Sequence, residues 1–170
     1  APGSRGSRNN ARSRAGGGGF GRCQYERVSI DPWPIVDGVV EFPNGVRVRG
    51  RGLGRGFPAG PDPTIGIYLP AQAPPAMAWP SEWIKWRDSR LPSDPDAAVR
   101  RLTEVFAAAG CARLEVCCRG GRGRTGTALA ILAIQSGIDS TDAVDWVREH
   151  YHHKAIETSW QRRWVEKYSL

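Results

Sequence analysis

The chain has no run of apolar residues approaching the roughly 18 that a membrane-spanning helix needs. Near its N-terminus there is no apolar core of the signal type. Its four cysteines, Cys23, Cys111, Cys117 and Cys118, show no CxxC spacing, and His150, His152 and His153 stand without acidic ligands at useful spacing. These absences speak against a metal site, a secreted disulfide framework and a membrane protein, and lead to the expectation of a soluble, cytoplasmic chain in a reducing compartment. Acid is missing altogether from residues 1–22, which hold five arginines. Of 24 Lys+Arg and 17 Asp+Glu, the remainder keeps 19 basic groups against 17 acidic ones, so the net charge of +7 belongs mostly to this arm.

Gly, Ser, Arg and Asn dominate residues 1–22, which lack the large apolar side chains needed to offset the entropy of ordering. They are expected to form a flexible arm ahead of one domain over 23–170. Such an arm contacts RNA phosphates in some chains and merely solubilises in others, and the second reading is preferred. In the domain, Val39 to Phe42 and Val46 to Arg49 alternate around Asn44-Gly45, a dipeptide that favours a tight turn, and read as a hairpin. Residues 64–70 (TIGIYLP) and 113–118 (RLEVCC) read as strands, and 81–88 (SEWIKWRD) as a further strand leading into a loop. Helices are expected from Ser93 or Asp94, with Pro95 at the first position, to Gly110; over 125–137; from Ser140 or Thr141 to Tyr151; and over 159–168, where Trp160 and Trp164 stand at i, i+4. Strands separated by helices indicate an α/β domain with a partly parallel central sheet flanked by helices.

The chemistry concentrates in Cys118-Arg119-Gly120-Gly121-Arg122-Gly123-Arg124-Thr125-Gly126, where a strand end passes through a glycine-rich turn into a helix. Gly120, Gly121 and Gly123 let successive backbone N–H groups converge on an anion, and the helix N-terminus adds partial positive charge. That field favours thiolate over thiol at a strand-end cysteine, making a nucleophile. Arg124, six positions on, can return over the loop and hold two phosphate oxygens with its planar fork. The implied reaction is attack of sulfur on bound phosphorus. A buried structural cysteine before an ordinary turn is the plainer alternative, and the joint spacing disfavours it.

These residues closely resemble the loop HCX5R(S/T)G of the cysteine-dependent protein tyrosine and dual-specificity phosphatase superfamily. The resemblance covers roughly residues 30–168 and implies a bacterial-type, single-domain member with that family's fold and no cofactor. It identifies Cys118 as nucleophile, Arg124 as the phosphate-binding arginine and Thr125 as the hydroxyl that stabilises the leaving thiolate. The loop residues Arg119, Gly120, Gly121, Arg122 and Gly123 are substrate-binding on the same basis. Trp86-Arg87-Asp88 resembles the family's mobile acid loop, with Arg87 in place of the usual proline, and makes Asp88 the general acid; a turn or capping role is the alternative. Ala155 to Gln161 resembles the glutamine-bearing segment, in which Gln161 positions the hydrolytic water, as against a solvated helix amide. Cys117 replaces the family's histidine. By strand alternation it points away from Cys118, and core filling is its preferred role.

The substrate implied is a phosphorylated protein, phosphotyrosine first, under tyrosine or dual specificity. Arg119 and Arg122 echo the CKxxKxR loop of phosphoinositide phosphatases, so an anionic lipid is the alternative substrate. A catalytically weak phosphate-binding module is another alternative, although the cysteine, arginine and acid are all retained. A nucleic-acid partner is not expected: residues 47–55 (RVRGRGLGR) read more economically as a hairpin arm with an arginine-rich exposed face, bordering the substrate groove.

Overall fold

A computed structural model describes residues 30–168; the 1–22 arm and Cys23 lie outside these. Five strands form one sheet: β1 (Val39–Glu41), β2 (Arg47–Gly52), β3 (Ile65–Tyr68), β4 (Ser81–Trp83) and β5 (Leu114–Cys118). Their spatial order is β1-β2-β5-β3-β4. The β1–β2 hairpin is antiparallel, with Asn44 Oδ1 accepting from Val46 N and Gly45 at φ +80° in its turn. Strand β5 runs parallel to both β2 and β3, in the middle of the sheet.

Four helices follow: α1 (Pro95–Ala107), α2 (Gly123–Gln135), α3 (Ala143–His150) and α4 (Ser159–Lys167). Helix α1 begins as its sequence dictates, with Asp94 Oδ1 accepting from Ala97 N ahead of Pro95. Helix α2 is buried from Gly123 through Ile134, its apolar run from Ala128 to Ile134 filling the core and Arg124, Thr125 and Thr127 buried ahead of it. Its residues join α1, α3 and α4 in one core with Val48, Ile67, Val116 and Cys118 from one face of the sheet.

Three expectations need correction. The strand expected over 81–88 ends at Trp83, because Trp86 turns into the core and its indole N–H bonds Arg90 O, which folds 87–90 into a turn. Helix α3 starts at Ala143; Ser140 instead bonds Glu166 O, and residues 139–142 make a separate turn. The third concerns β2, whose arginine face is not exposed. Arg49 and Arg51 are buried against Glu115 of β5, which is itself fully buried.

Both guanidiniums reach that one carboxylate: Arg49 through Nη2 at 2.6 Å, Arg51 through Nη2 at 2.8 Å and Nε at 3.0 Å. Tyr68 OH adds a hydrogen bond, and Trp79 Nε1 donates to Tyr68. Arg49 stacks over Trp33 and Arg51 over Phe57, so aromatic rings seal this second face of the sheet. The expected fold class stands, with the charged face of the sheet covered by loops.

Burial alone pushes the Glu115 carboxyl up, but the hydrogen bond and charge of Arg51 and the charge of Arg49 outweigh it and hold the group below its ordinary 4.5. A depressed carboxyl contributes stability that is present above its unfolded value and lost as pH falls through the folded one. Glu115→Gln, which strands two buried guanidiniums, is expected to lose about 3–5 kcal/mol of unfolding free energy at neutral pH. The acid-side loss of stability below pH 4.5 should flatten in the variant. Urea titrations at several pH values measure both effects.

Candidate active site

Strand β5 ends at Cys118, and the chain turns through 119–122 into α2. Gly121 N donates to Cys118 Sγ at 3.1 Å, so the thiol lies inside the loop, 2% exposed. The loop is seated on the end of β2: a Cβ at Gly121, which has φ +76°, would meet Gly52 N at 2.5 Å, and one at Gly52 would meet Gly120 at 2.9 Å. This approach requires glycine on both partners. No side chain caps α2, whose N-cap position is Arg122, so its first amides are left for a ligand.

Arg124 is buried at the mouth. Its Nη1 donates to Leu69 O (3.2 Å) and Trp86 O (2.9 Å), and its Nη2 pairs with Asp88 Oδ1 at 2.8 Å. Asp88 itself is exposed, at 77% of its side chain. Leu53, the 70–75 segment, Asp88, Arg119 and Arg124 enclose a cavity of about 530 Å³ at this mouth. Arg124, Asp88 and Arg119 therefore line one cavity, and Cys118 lies at the start of the loop that bears Arg119.

Arg122 does not join them; it lines a different cleft with Gly120 and Gly121. Thr125 is buried, and its hydroxyl has no hydrogen-bond partner. Gln161 is buried as well, not solvated. It closes a capping box with Thr158, and its amide donates to Arg90 O at 3.4 Å, which puts it between the Asp88 turn and the start of α2.

Cys117 points to the charged face of the sheet. Burial pushes its thiol well up, with the neighbouring Glu115 charge adding to the effect, so it stays protonated. Cys111 is disulfide-bonded, a bond that the cysteine spacing did not reveal.

Other residues that shape the site were not legible beforehand. Ser89 (φ +53°) and Ile156 (φ +62°) are the non-glycine residues with positive φ among those described, and both border the site. Such strain persists only where surroundings enforce it. Trp160 Nε1 holds Ser89 O at 2.8 Å, and Arg148 binds Ala155 O and Ile156 O. Ile156 N in turn reaches Arg122 O at 3.4 Å. Tyr151 hydroxyl donates to Gly121 O, and Glu157 lies against Gly123. The signal of a positive φ at a β-branched residue is absent from sequence.

Among the described residues no group of three His, Cys, Asp or Glu side chains is placed to hold a metal. No helix among them is long and apolar enough to cross a membrane.

Comparison with known proteins agrees with this geometry. Residues 87–169 match the family model described as "Swiss Army Knife protein, DSP-PTPase phosphatase domain". Two uncharacterized proteins of Methanocaldococcus jannaschii are each 45% identical over 53 residues, which is 31% of this chain and 35% or 32% of theirs. The chain thus spans about a third of the length of these curated relatives. Among solved structures, kinase associated phosphatase with its catalytic-site cysteine changed to serine aligns at a TM-score of 0.52 and 14% identity, over 61% of this chain and 67% of that one. Tk-PTP in its active form aligns at 0.52 and 20% identity, over 75% of this chain and 93% of its own. At such identities the structural likeness speaks for the fold, and the match over 87–169 carries the loop, α2 and the acid turn with it. Over residues 87–169 the chain is thus similar to the phosphatase domain of that family model, and its fold is that of the tyrosine and dual-specificity phosphatases.

Proposed function

We propose that the chain hydrolyses phosphate monoesters on proteins, with tyrosine or dual specificity, through a phosphocysteine intermediate. The observation that carries this reading is the meeting of Arg124 and Asp88 over the loop that contains the Cys118 thiol. A phosphate dianion entering the mouth competes with Asp88 for Arg124 Nη2 and takes the free loop amides. Cys118 gives up its proton to solvent and its thiolate attacks phosphorus as the bond to the leaving oxygen breaks, while Asp88, released from Arg124 and protonated from solvent, gives that oxygen its proton. Water then attacks the phosphocysteine; Asp88 accepts its proton, the S–P bond breaks, and phosphate leaves. Gln161 is near enough to the acid turn to orient that water. Thr125, with an unspent hydroxyl in the buried wall, is available to the thiolate once it carries charge.

A protein substrate is preferred to a phosphoinositide because the two extra arginines diverge: Arg119 lines the mouth and Arg122 the cleft beyond the loop. The paired basic rim of the phosphoinositide-type loop is thus divided.

Turnover of 4-nitrophenyl phosphate tests the assignment. Cys118→Ser is expected to lower kcat by at least about 10³-fold, whereas Cys117→Ser should keep activity within about threefold of the parent, since a protonated side chain on the far face takes no part in the reaction. Equal losses in the two variants would overturn the roles given to the pair.

Asp88→Asn gives two opposed effects that one experiment separates. On an alkyl or phenyl phosphate, whose leaving oxygen needs a proton, kcat should fall by about 10²-fold or more. Inorganic phosphate, measured as a competitive inhibitor, should bind more tightly because Arg124 is no longer neutralised by a carboxylate. Unchanged kcat with the poor leaving group would place the acid elsewhere.

A further inference from the structure

Next to the catalytic mouth, a cavity of about 480 Å³ lies between the turn that follows β2 and the 75–79 segment ahead of β4. Leu53 and Pro75 line both this cavity and the mouth, so the two openings share a lip. Beyond that lip the walls are apolar: Phe57, Met77 and Trp79, with Ala76 and Ala78 between them.

The polar groups of the lining are already engaged. Arg51 gives its Nε and Nη2 to Glu115 and its Nη1 to Gly56 O, and the Trp79 indole N–H donates to Tyr68 OH. Asp62 is the one acid in the lining, and it disfavours an anionic guest. A carboxylate or phosphate finds no unspent donor side chain here, so the removal of apolar surface from water is the attraction that remains.

The cavity is also built before anything enters it. Phe57 is 61% exposed, yet its ring is held, with the Arg51 guanidinium 4.3 Å from its centroid and Trp79 perpendicular to it at 5.8 Å. Pro74 and Pro75, with their fixed φ, stiffen the chain that leads into the wall. Apolar surface that is ordered in advance loses little conformational freedom on association.

We propose that this cavity is a substrate subsite that takes a large apolar side chain, aromatic first, from a residue close in sequence to the phosphorylated one. The inference rests on the phosphatase reading, because it is the phosphorylated residue in the mouth that brings its neighbour over the shared lip. In an extended peptide, side chains two positions apart leave the same face about 7 Å from each other, which suits two openings with a common wall. Phe57, Met77 and Trp79 are then specificity residues, although none touches the reacting atoms.

Fluorescence anisotropy with Cys118→Ser, which keeps phosphopeptides intact, tests the subsite. The peptides carry one phosphotyrosine in a Gly/Ser background and a single Phe moved from three residues before it to three after. Phe at one of these positions, two residues away by the spacing above, should lower Kd about tenfold relative to the peptide without Phe. The gain should vanish when Ala78→Glu, which sets a carboxylate in the apolar lining, or Phe57→Ala is added. Phe57 also covers Arg51, so if Phe57→Ala misfolds, Ala78→Glu at its exposed position decides alone. With Cys118 in place, both variants should turn over 4-nitrophenyl phosphate within about twofold of wild type, since neither residue lines the mouth. A Kd indifferent to Phe at every position, or a preference that survives Ala78→Glu, overturns the subsite. An equal Phe preference in unphosphorylated peptides overturns it too, because the cavity then docks a partner independently of the mouth. Failure of the wild-type chain to turn over 4-nitrophenyl phosphate sinks the phosphatase reading alone, for the anisotropy series still decides whether the cavity selects the neighbours of a bound phosphotyrosine.

Discussion

The close approach of two backbones holds this site together. Gly121 in the loop and Gly52 at the end of β2 pack at distances that exclude any side chain on either. Everything functional is referred to that contact: it fixes where the chain turns after Cys118, and so where the amides and Arg124 emerge. Strand β2 is in turn fixed by Arg49 and Arg51 on Glu115, one strand over. The buried ion cluster on one face of the sheet thus supports the phosphate loop at its end, although none of its atoms faces the mouth. Breaking it leaves buried charge without a partner, so the arrangement resists partial loss.

A second set of supports comes from the helical side. The strained turn at Ile156 is clamped by Arg148 and touches Arg122 O, and Tyr151 grips Gly121 O. On the acid side, the edge-to-face contact of Trp86 with Trp164 and the indole bond from Trp160 to Ser89 anchor the turn bearing Asp88. The loop is therefore gripped from β2, from the α3–α4 connection and from the acid turn. Rigid support of this kind is what positioning of a reacting phosphate demands.

The hairpin, the strand ending in Cys118 and helix α1 were legible because local chemistry decides them: Asn44-Gly45 in a turn, a β-rich run, and Asp94-Pro95 as a start. The loop was legible because it needs particular residue types at fixed spacing, and this carried the fold family with it. What was not legible depends on partners distant in sequence. Arg49 and Arg51 read as surface residues until Glu115, more than 60 positions away, is seen beneath them. The same holds for Arg122, which spacing alone groups with Arg119 but which the turn of the loop sends to the opposite side. Strand 81–88 was overextended because Trp86 has high strand preference, and its burial against α4 overrides that preference.

The resting contact between Asp88 and Arg124 also bears on discrimination. While the mouth is empty, Asp88 neutralises Arg124, the arginine proposed to receive the phosphate, so the site holds its own carboxylate as an internal competitor. A ligand with a single diffuse charge, such as a diester or a free carboxylate, gains little by taking that place, whereas a dianion gains more than the exposed ion pair returns. In the proposed cycle the proton donor is set loose only when such a dianion has arrived. On that proposal, arming of the acid is conditional on the charge of the guest, and valence is tested before a proton is committed.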